Sequence, residues 1–225
     1  MGLDLYAKVE PLLGFEEEKQ RLYRIYLKRL RALGATRVLD IGCGSGAFMQ
    51  LAKEAGFDIV GIDLSPEMVR RAKEEGLACE CVDICDLDRS FDAAVAIFDV
   101  LNYVPPQEVE SFIECVAKVL EKGGHFIFDV NTLLGFEEVA QGALWIDAEE
   151  LFVALEAEFK QGKLVTDIVY FEKKGECFMK ESDRIVQYYH EVPIFKKAPF
   201  ELVDLELISL FGEDADKALI TLKKV

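Results

Sequence analysis

Val38-Leu39-Asp40-Ile41-Gly42-Cys43-Gly44-Ser45-Gly46 reads as a buried strand running into a glycine loop, and Ala47, Phe48, Leu51, Ala52 and Ala55 recur after it like the inward face of a helix. Glycine at every second position removes Cβ where the backbone turns sharply and where a ligand must meet main-chain N–H groups. The loop predicts a site for a nucleotide-like cofactor at the carboxyl end of a strand in an α/β sheet.

Because Ala47 follows Gly46, the stretch also satisfies the loose dinucleotide pattern G-x-G-x-x-(G/A), so spacing does not choose the cofactor. Charge does. A pyrophosphate about 4 Å from the Asp40 carboxylate would meet repulsion of about 4 kcal/mol at an effective dielectric near 20. S-adenosylmethionine, with a sulfonium, an ammonium, one carboxylate and no phosphate, suits that carboxylate. Asp40 to Gly46 resembles the first motif of the class I S-adenosylmethionine-dependent methyltransferases. The resemblance covers residues 38 to 132 and implies cofactor contacts from Asp40, Gly42, Gly44 and Gly46.

Asp58 to Asp63 forms the next strand, and Ser65-Pro66 then caps and opens a helix toward Glu75. Asp63 lies about twenty residues beyond the first glycine, where a carboxylate accepts both hydroxyls of a ribose. That role is shared with nicotinamide binders; the resemblance implies it here and places Leu64 and Met68 beside the adenine. A third strand is expected over 78–83, with Asp83 at the adenine amino group and Ile84 against the ring by the same resemblance. Residues 91–99 read as a central strand, with Phe98 and Asp99 implied at the methionine end of the cofactor. Pro105-Pro106 should open a helix with a stripe of Val109, Phe112, Ile113, Val116 and Leu120, ended by Lys122-Gly123-Gly124. Residues 125–132 complete a fifth strand, and Asp129 and Asn131 look like acceptor-side residues. The alternation predicts a Rossmann-like, doubly wound α/β sheet.

Residues 15–33 carry helical periodicity, and Tyr6 and Phe15 lie in a segment that resembles the cap of small-molecule methyltransferases. From Leu144 to Val192 the period changes to that of strands, which predicts an inserted antiparallel meander acting as a lid, a dimer surface or both. Trp145, Tyr188, Tyr189 and His190 fall within it. Residues 202–211 and 218–224 resemble the antiparallel final pair of the methyltransferase fold. Between His190 and Phe200 there is room for little more than a turn where the family has a helix, leaving that edge open or covered by another subunit. The expected organisation is a cofactor domain over 1–143 and 193–225, with 144–192 inserted.

The chain has 225 residues, and its net charge of −16 argues against a grip on nucleic acid phosphate. No stretch approaches the roughly eighteen uncharged apolar residues of a membrane span, so a cytoplasmic protein is expected. Cys79, Cys81 and Cys85 match no zinc spacing; no metal is expected, and the six cysteines read as reduced and structural. The expected activity is in-line methyl transfer to a small-molecule acceptor, with Asp99, Asp129 and His190 as titratable candidates for a base and a homodimer as the possible assembly. An S-adenosylmethionine binder without turnover and a nicotinamide-dependent oxidoreductase are the alternatives.

Overall fold

The computed structural model describes residues 3–225. Two sheets organise them. The larger is built from β1 (Arg37–Ile41), β2 (Asp58–Asp63), β3 (Cys79–Cys81), β4 (Phe91–Ala96), β5 (Leu120–Asn131), β10 (Phe200–Ile208) and β11 (Lys217–Lys224), in the order β10-β11-β5-β4-β1-β2-β3. Strands β1 to β5 run parallel, and β11 and β10 close the sheet antiparallel. The order reverses between β1 and β4, so their carboxyl ends open a crevice there.

Helices cover both faces. α2 (Glu16–Ala32), α3 (Ala47–Glu54) and α4 (Pro66–Glu74) bury Tyr26, Met49 and Val69 against one face, and α5 (Val109–Val119) buries Ile113 and Val116 against the other. The smaller sheet, β6 (Gly142–Asp147), β7 (Leu151–Lys160), β8 (Lys163–Lys174) and β9 (Cys177–Tyr188), is an antiparallel meander. Its inner face packs Val153, Ile168, Tyr170 and Ile185 around Leu5 and Val9 of α1 (Leu3–Val9). Among the described residues no helix is long and apolar enough to cross a membrane.

Several boundaries differ from the sequence expectations for local reasons. The third strand stops at Cys81, and the Asp83 side chain instead caps a 3-10 turn over Ile84–Asp86 by accepting from the Cys85 N–H at 2.8 Å. β4 ends at Ala96 because Phe98 and Asp99 adopt left-handed φ of 62° and 63°, which no strand continues through. α5 ends at Val119, and Lys122-Gly123-Gly124 lies inside β5 rather than terminating the helix. Ala47 is exposed, and Met49 takes the inward place. The cysteines are not all reduced: Cys85 on the 3-10 turn is disulfide-bonded to Cys115 on α5, a contact 30 residues distant in sequence that spacing does not announce. A 3-10 turn over Val192–Phe195 occupies the place of the last crossover helix, and Leu205 and Leu207 on β10 are left 44% and 63% exposed. Residues 1 and 2 of the expected amino-terminal segment lie outside the described residues.

Candidate active site

The glycine loop is pinned before it reaches the crevice. The N–H groups of Gly42 and Cys43 both donate to the Ile62 carbonyl, at 2.8 and 3.0 Å. Gly46 takes φ of 89°, and a Cβ there would lie 2.3 Å from Leu77 Cδ1, so the turn into α3 closes only around glycine. Gly44, at φ 55°, has open space where its Cβ would stand. Its N–H donates to Asp63 Oδ2 at 2.8 Å, and the Ser65 N–H donates to Oδ1 at 2.8 Å. These two bonds hold the Asp63 carboxylate at the end of β2, beside the loop.

Ser65 also caps α4, its Oγ accepting from the Met68 N–H at 3.2 Å while donating to Asp4 Oδ1 on α1 at 2.5 Å. Leu64 is 51% exposed, Met68 half-buried, Asp83 exposed and Ile84 buried. Asp40 is buried, and its side chain has no hydrogen-bond donor among the described residues. Burial, then the Asp63 charge and then Cys79, push its carboxyl well above the usual range.

A second cluster stands at the ends of β4, β5 and β11. Asp129 is fully buried and takes four donors: Tyr26 Oη at 2.7 Å and the Phe98 N–H at 2.9 Å on one oxygen, and the Asp99 N–H at 3.2 Å and Lys217 Nζ at 3.1 Å on the other. Lys217 also bonds Asp99 Oδ1, and it donates to Asn131 Oδ1 at 3.1 Å. Asn131 Nδ2 donates in turn to Asp99 Oδ2 at 3.1 Å. The cluster locks Phe98 and Asp99 in their left-handed conformation, which costs about 1–2 kcal/mol per residue. Burial opposes charge on Lys217, but Asp99 and Asp129 outweigh it and hold the ammonium above the ordinary lysine range. Burial pushes Asp99 up to about 6, with Lys217 pulling down and Asp129 pushing up. The Asp99 side chain remains 18% exposed.

His190 sits elsewhere. It is buried, with Nε2 3.0 Å from the carbonyls of Leu101 and Val104, Nδ1 without a partner, and the ring edge-on to Phe195. Burial lowers its pKa, although the two carbonyls favour the proton, so the ring is a neutral clasp between the exit of β9 and the Val100–Tyr103 turn. Asn102 makes a parallel tie, donating to the Tyr188 carbonyl at 2.8 Å and accepting from the Asn131 N–H at 2.9 Å.

Thus the glycine loop is tied to Asp63 at the ends of β1 and β2, and Phe98 and Asp99 are tied to Asp129 at the ends of β4 and β5. Sequence reasoning missed Tyr26 and Lys217 as members of the Asp129 cluster. Tyr26 recurs with the apolar stripe of α2, and Lys217 lies one residue before the expected last strand over 218–224, so nothing local marks either one.

The donor set fits S-adenosylmethionine. Asp99, Asp129 and Lys217 together carry a net charge of −1 when ionised, and Asp63 adds a carboxylate without a further cation in these contacts, while burial favours the neutral form of Asp40. Such an edge accommodates a sulfonium and an ammonium and opposes a pyrophosphate.

Residues 38–124 match a family described as a methyltransferase domain. YqeM of Bacillus subtilis, a protein named as a methyltransferase, is 29% identical over 155 residues, 63% of this chain and 62% of YqeM. The chain spans less than two thirds of the length of the curated relatives it matches. A solved S-adenosylmethionine-dependent methyltransferase from Clostridium acetobutylicum has the same fold, with TM-score 0.79 at 19% identity over 99% of this chain and 97% of that one. The sugar N-methyltransferase KedS8 from Streptoalloteichus gives TM-score 0.75 at 19% identity over 99% and 92%. Residues 38–124 thus match the methyltransferase-domain family, and the seven-stranded sheet with its antiparallel final pair is the fold of the solved S-adenosylmethionine-dependent methyltransferase from Clostridium acetobutylicum.

Proposed function

We propose that the chain transfers a methyl group from S-adenosylmethionine to a small-molecule acceptor. The observation that carries this reading is the Asp63 carboxylate, held by the Gly44 and Ser65 N–H groups at a crevice whose other charges are mainly acidic. When bound, the cofactor supplies an electrophilic methyl on its sulfonium. Asp63 takes the ribose hydroxyls, Leu64 and Met68 flank the adenine, Asp83 and Ile84 hold its far edge, and Asp40, Phe98 and the loop glycines border the methionine end. Holding an acceptor in line with the methyl supplies about 7–11 kcal/mol of the barrier lowering.

Of the three titratable candidates, Asp99 is the base. It alone keeps a partly exposed carboxylate, and its pKa of about 6 leaves it ionised yet basic at neutral pH. Asp129 already accepts four bonds, and the His190 Nε2 is spent on two carbonyls. The net charge of −16 favours a small acceptor over nucleic acid, and KedS8 offers a sugar amine as the first class to try. The reading places the reaction in the cytoplasm, although the Cys85–Cys115 disulfide is unusual for a reducing compartment.

Residues 144–192 serve as the inserted unit, with the outer face of its sheet as a dimer surface. Cross-strand pairing sets Trp145, Ala154, Val169 and Ser182 in one row and Asp147, Phe152, Phe171 and Lys180 in the next. A second copy turned about an axis along the strands stacks Trp145 on the partner's Ser182 and Asp147 on the partner's Lys180, large on small and acid on base. Trp145 is the sole tryptophan and 70% exposed, so its emission should shift to the blue with rising protein concentration, and Phe171→Glu should abolish the shift. A concentration-independent spectrum refutes the dimer.

Turnover is tested by incubating the protein with S-adenosylmethionine and amine or hydroxyl acceptor pools while following S-adenosylhomocysteine by mass spectrometry. Activity should rise with pH through about 6, and Asp99→Asn should remove that limb. Tight cofactor binding with no S-adenosylhomocysteine above the protein-free control, across all pools, would favour a binding protein without turnover.

A further inference from the structure

The glycine loop carries a thiol that the proposed chemistry does not use. Cys43 lies between Gly42 and Gly44, and its Sγ stands 3.1 Å from the Sγ of Cys79, the first residue of β3. Neither cysteine is in a disulfide, and both are buried, at 9% and 3% exposure. The contact passes over β2 at Gly61, which pairs with Cys79 in the sheet register. A Cβ on Gly61 would lie 2.6 Å from Cys43 Sγ, so only glycine there lets the two sulfurs meet.

We infer that Cys43 and Cys79 are an oxidation site, a dithiol that closes to a disulfide under peroxide and thereby loosens the grip of the glycine loop on its ligand. The hydrogen bond from Cys43 lowers the Cys79 thiol below its usual range and pushes Cys43 up, which makes Cys79 the attacking sulfur. The Cys79 thiolate attacks one peroxide oxygen, the O–O bond breaks, and a sulfenic acid and hydroxide form. Cys43 then displaces the sulfenic oxygen, which leaves as water. In sum two thiols and one hydrogen peroxide give one disulfide and two waters, each sulfur losing one electron. A dithiol reductant reverses the step.

A disulfide needs its sulfurs about 2.05 Å apart, so closing the pair brings the two sulfurs roughly 1 Å nearer each other and pulls on the loop at Cys43. The neighbouring Gly44 N–H is the donor that fixes Asp63. A binding constellation tolerates displacements of about 0.5 Å, so oxidation should weaken ligand binding at least tenfold. This second half rests on the cofactor reading above; the crosslink itself does not.

The test uses the full chain carrying Cys85→Ser and Cys115→Ser, which removes the existing disulfide from the count. After hydrogen peroxide, non-reducing peptide mapping should find Cys43 joined to Cys79. Calorimetry should show the dissociation constant for S-adenosylhomocysteine raised at least tenfold and restored by dithiothreitol. Cys79→Ala in the same background should bind S-adenosylhomocysteine as before and ignore peroxide. Absence of the Cys43–Cys79 crosslink, or a crosslink that leaves the affinity unchanged, overturns the inference. Reduced protein that folds yet binds no S-adenosylhomocysteine would sink the cofactor reading instead, with the crosslink standing or falling by mass alone.

Discussion

Lys217→Met removes the cation that neutralises the buried Asp129 and the partly exposed Asp99 while roughly keeping the side chain's bulk. Lys217 is 1% exposed and bonds Asp99, Asp129 and Asn131, so the variant leaves Asp99 and Asp129 adjoining with no counter-charge. Breaking a buried pair from one side costs about 3–5 kcal/mol. For a chain of this size each kcal/mol lowers the melting temperature by about 2–4 °C, so a fall of about 6–20 °C is expected. The pH dependence carries the sharper signature. Losing Lys217 removes the influence that pulls the Asp99 carboxyl down, so its pKa rises above about 6. An acid with a raised native pKa binds more protons folded than unfolded between its ordinary value and the native one, and stability falls as pH rises through that window. The deficit of Lys217→Met should therefore be greatest near neutral pH and shrink toward about pH 4. Adding Asp99→Asn to Lys217→Met should recover part of the loss, because it removes one of the two opposed charges. Urea unfolding followed by circular dichroism, at several pH values, measures all of this. A neutral-pH loss below about 1 kcal/mol, or a deficit that does not change with pH, would refute the claim that this lysine holds the cluster together.

Gly46→Ala puts a Cβ 2.3 Å from Leu77 Cδ1 at a φ of 89°, and overpacking of that kind costs about 1–3 kcal/mol before backbone strain is added; a shift of the urea midpoint reads it, and an unchanged midpoint contradicts the packing described for the loop. His190 has a lowered native pKa, so its contribution is complete above the unfolded value near 6.5 and is lost as pH falls toward the native one. The stability gap between the natural protein and His190→Gln should narrow between about pH 7 and pH 5, and a gap independent of pH would mean that the imidazole is not held neutral.

The parallel half of the fold was legible because its signals are local. Asp58 to Asp63 and the Ser65-Pro66 start of α4 stand as expected, since alternation and a cap are written in adjacent residues. β7, β8 and β9 of the smaller sheet were legible for the same reason, whereas β6 was not read as a strand and β9 stops at Tyr188. Misplaced boundaries came from conformations that only tertiary contacts explain. Phe98 and Asp99 read as the end of a strand because nothing in their neighbours announces a left-handed turn; Asp129 and Lys217, 30 and 118 residues away, impose it. The same limit hid the ionic cluster. Asp99 and Asp129 were visible as acids at strand ends, but the lysine between them arrives from the last strand and the tyrosine from the first long helix. The Cys85–Cys115 disulfide and the Cys43–Cys79 contact depend on packing between elements and were equally invisible.

The central claim is that the loop and Asp63 hold an adenosyl cofactor without a pyrophosphate. Calorimetric titration of the purified protein with S-adenosylmethionine, S-adenosylhomocysteine and NAD, repeated on Asp63→Ala, tests it directly. Hydrogen bonds to a charged group are worth about 1.5–3 kcal/mol, so Asp63→Ala should weaken both adenosyl ligands by about ten- to more than a hundredfold, with NAD not binding to either protein. NAD binding comparable to that of the adenosyl ligands, or no binding of either adenosyl ligand by folded protein, would contradict the account.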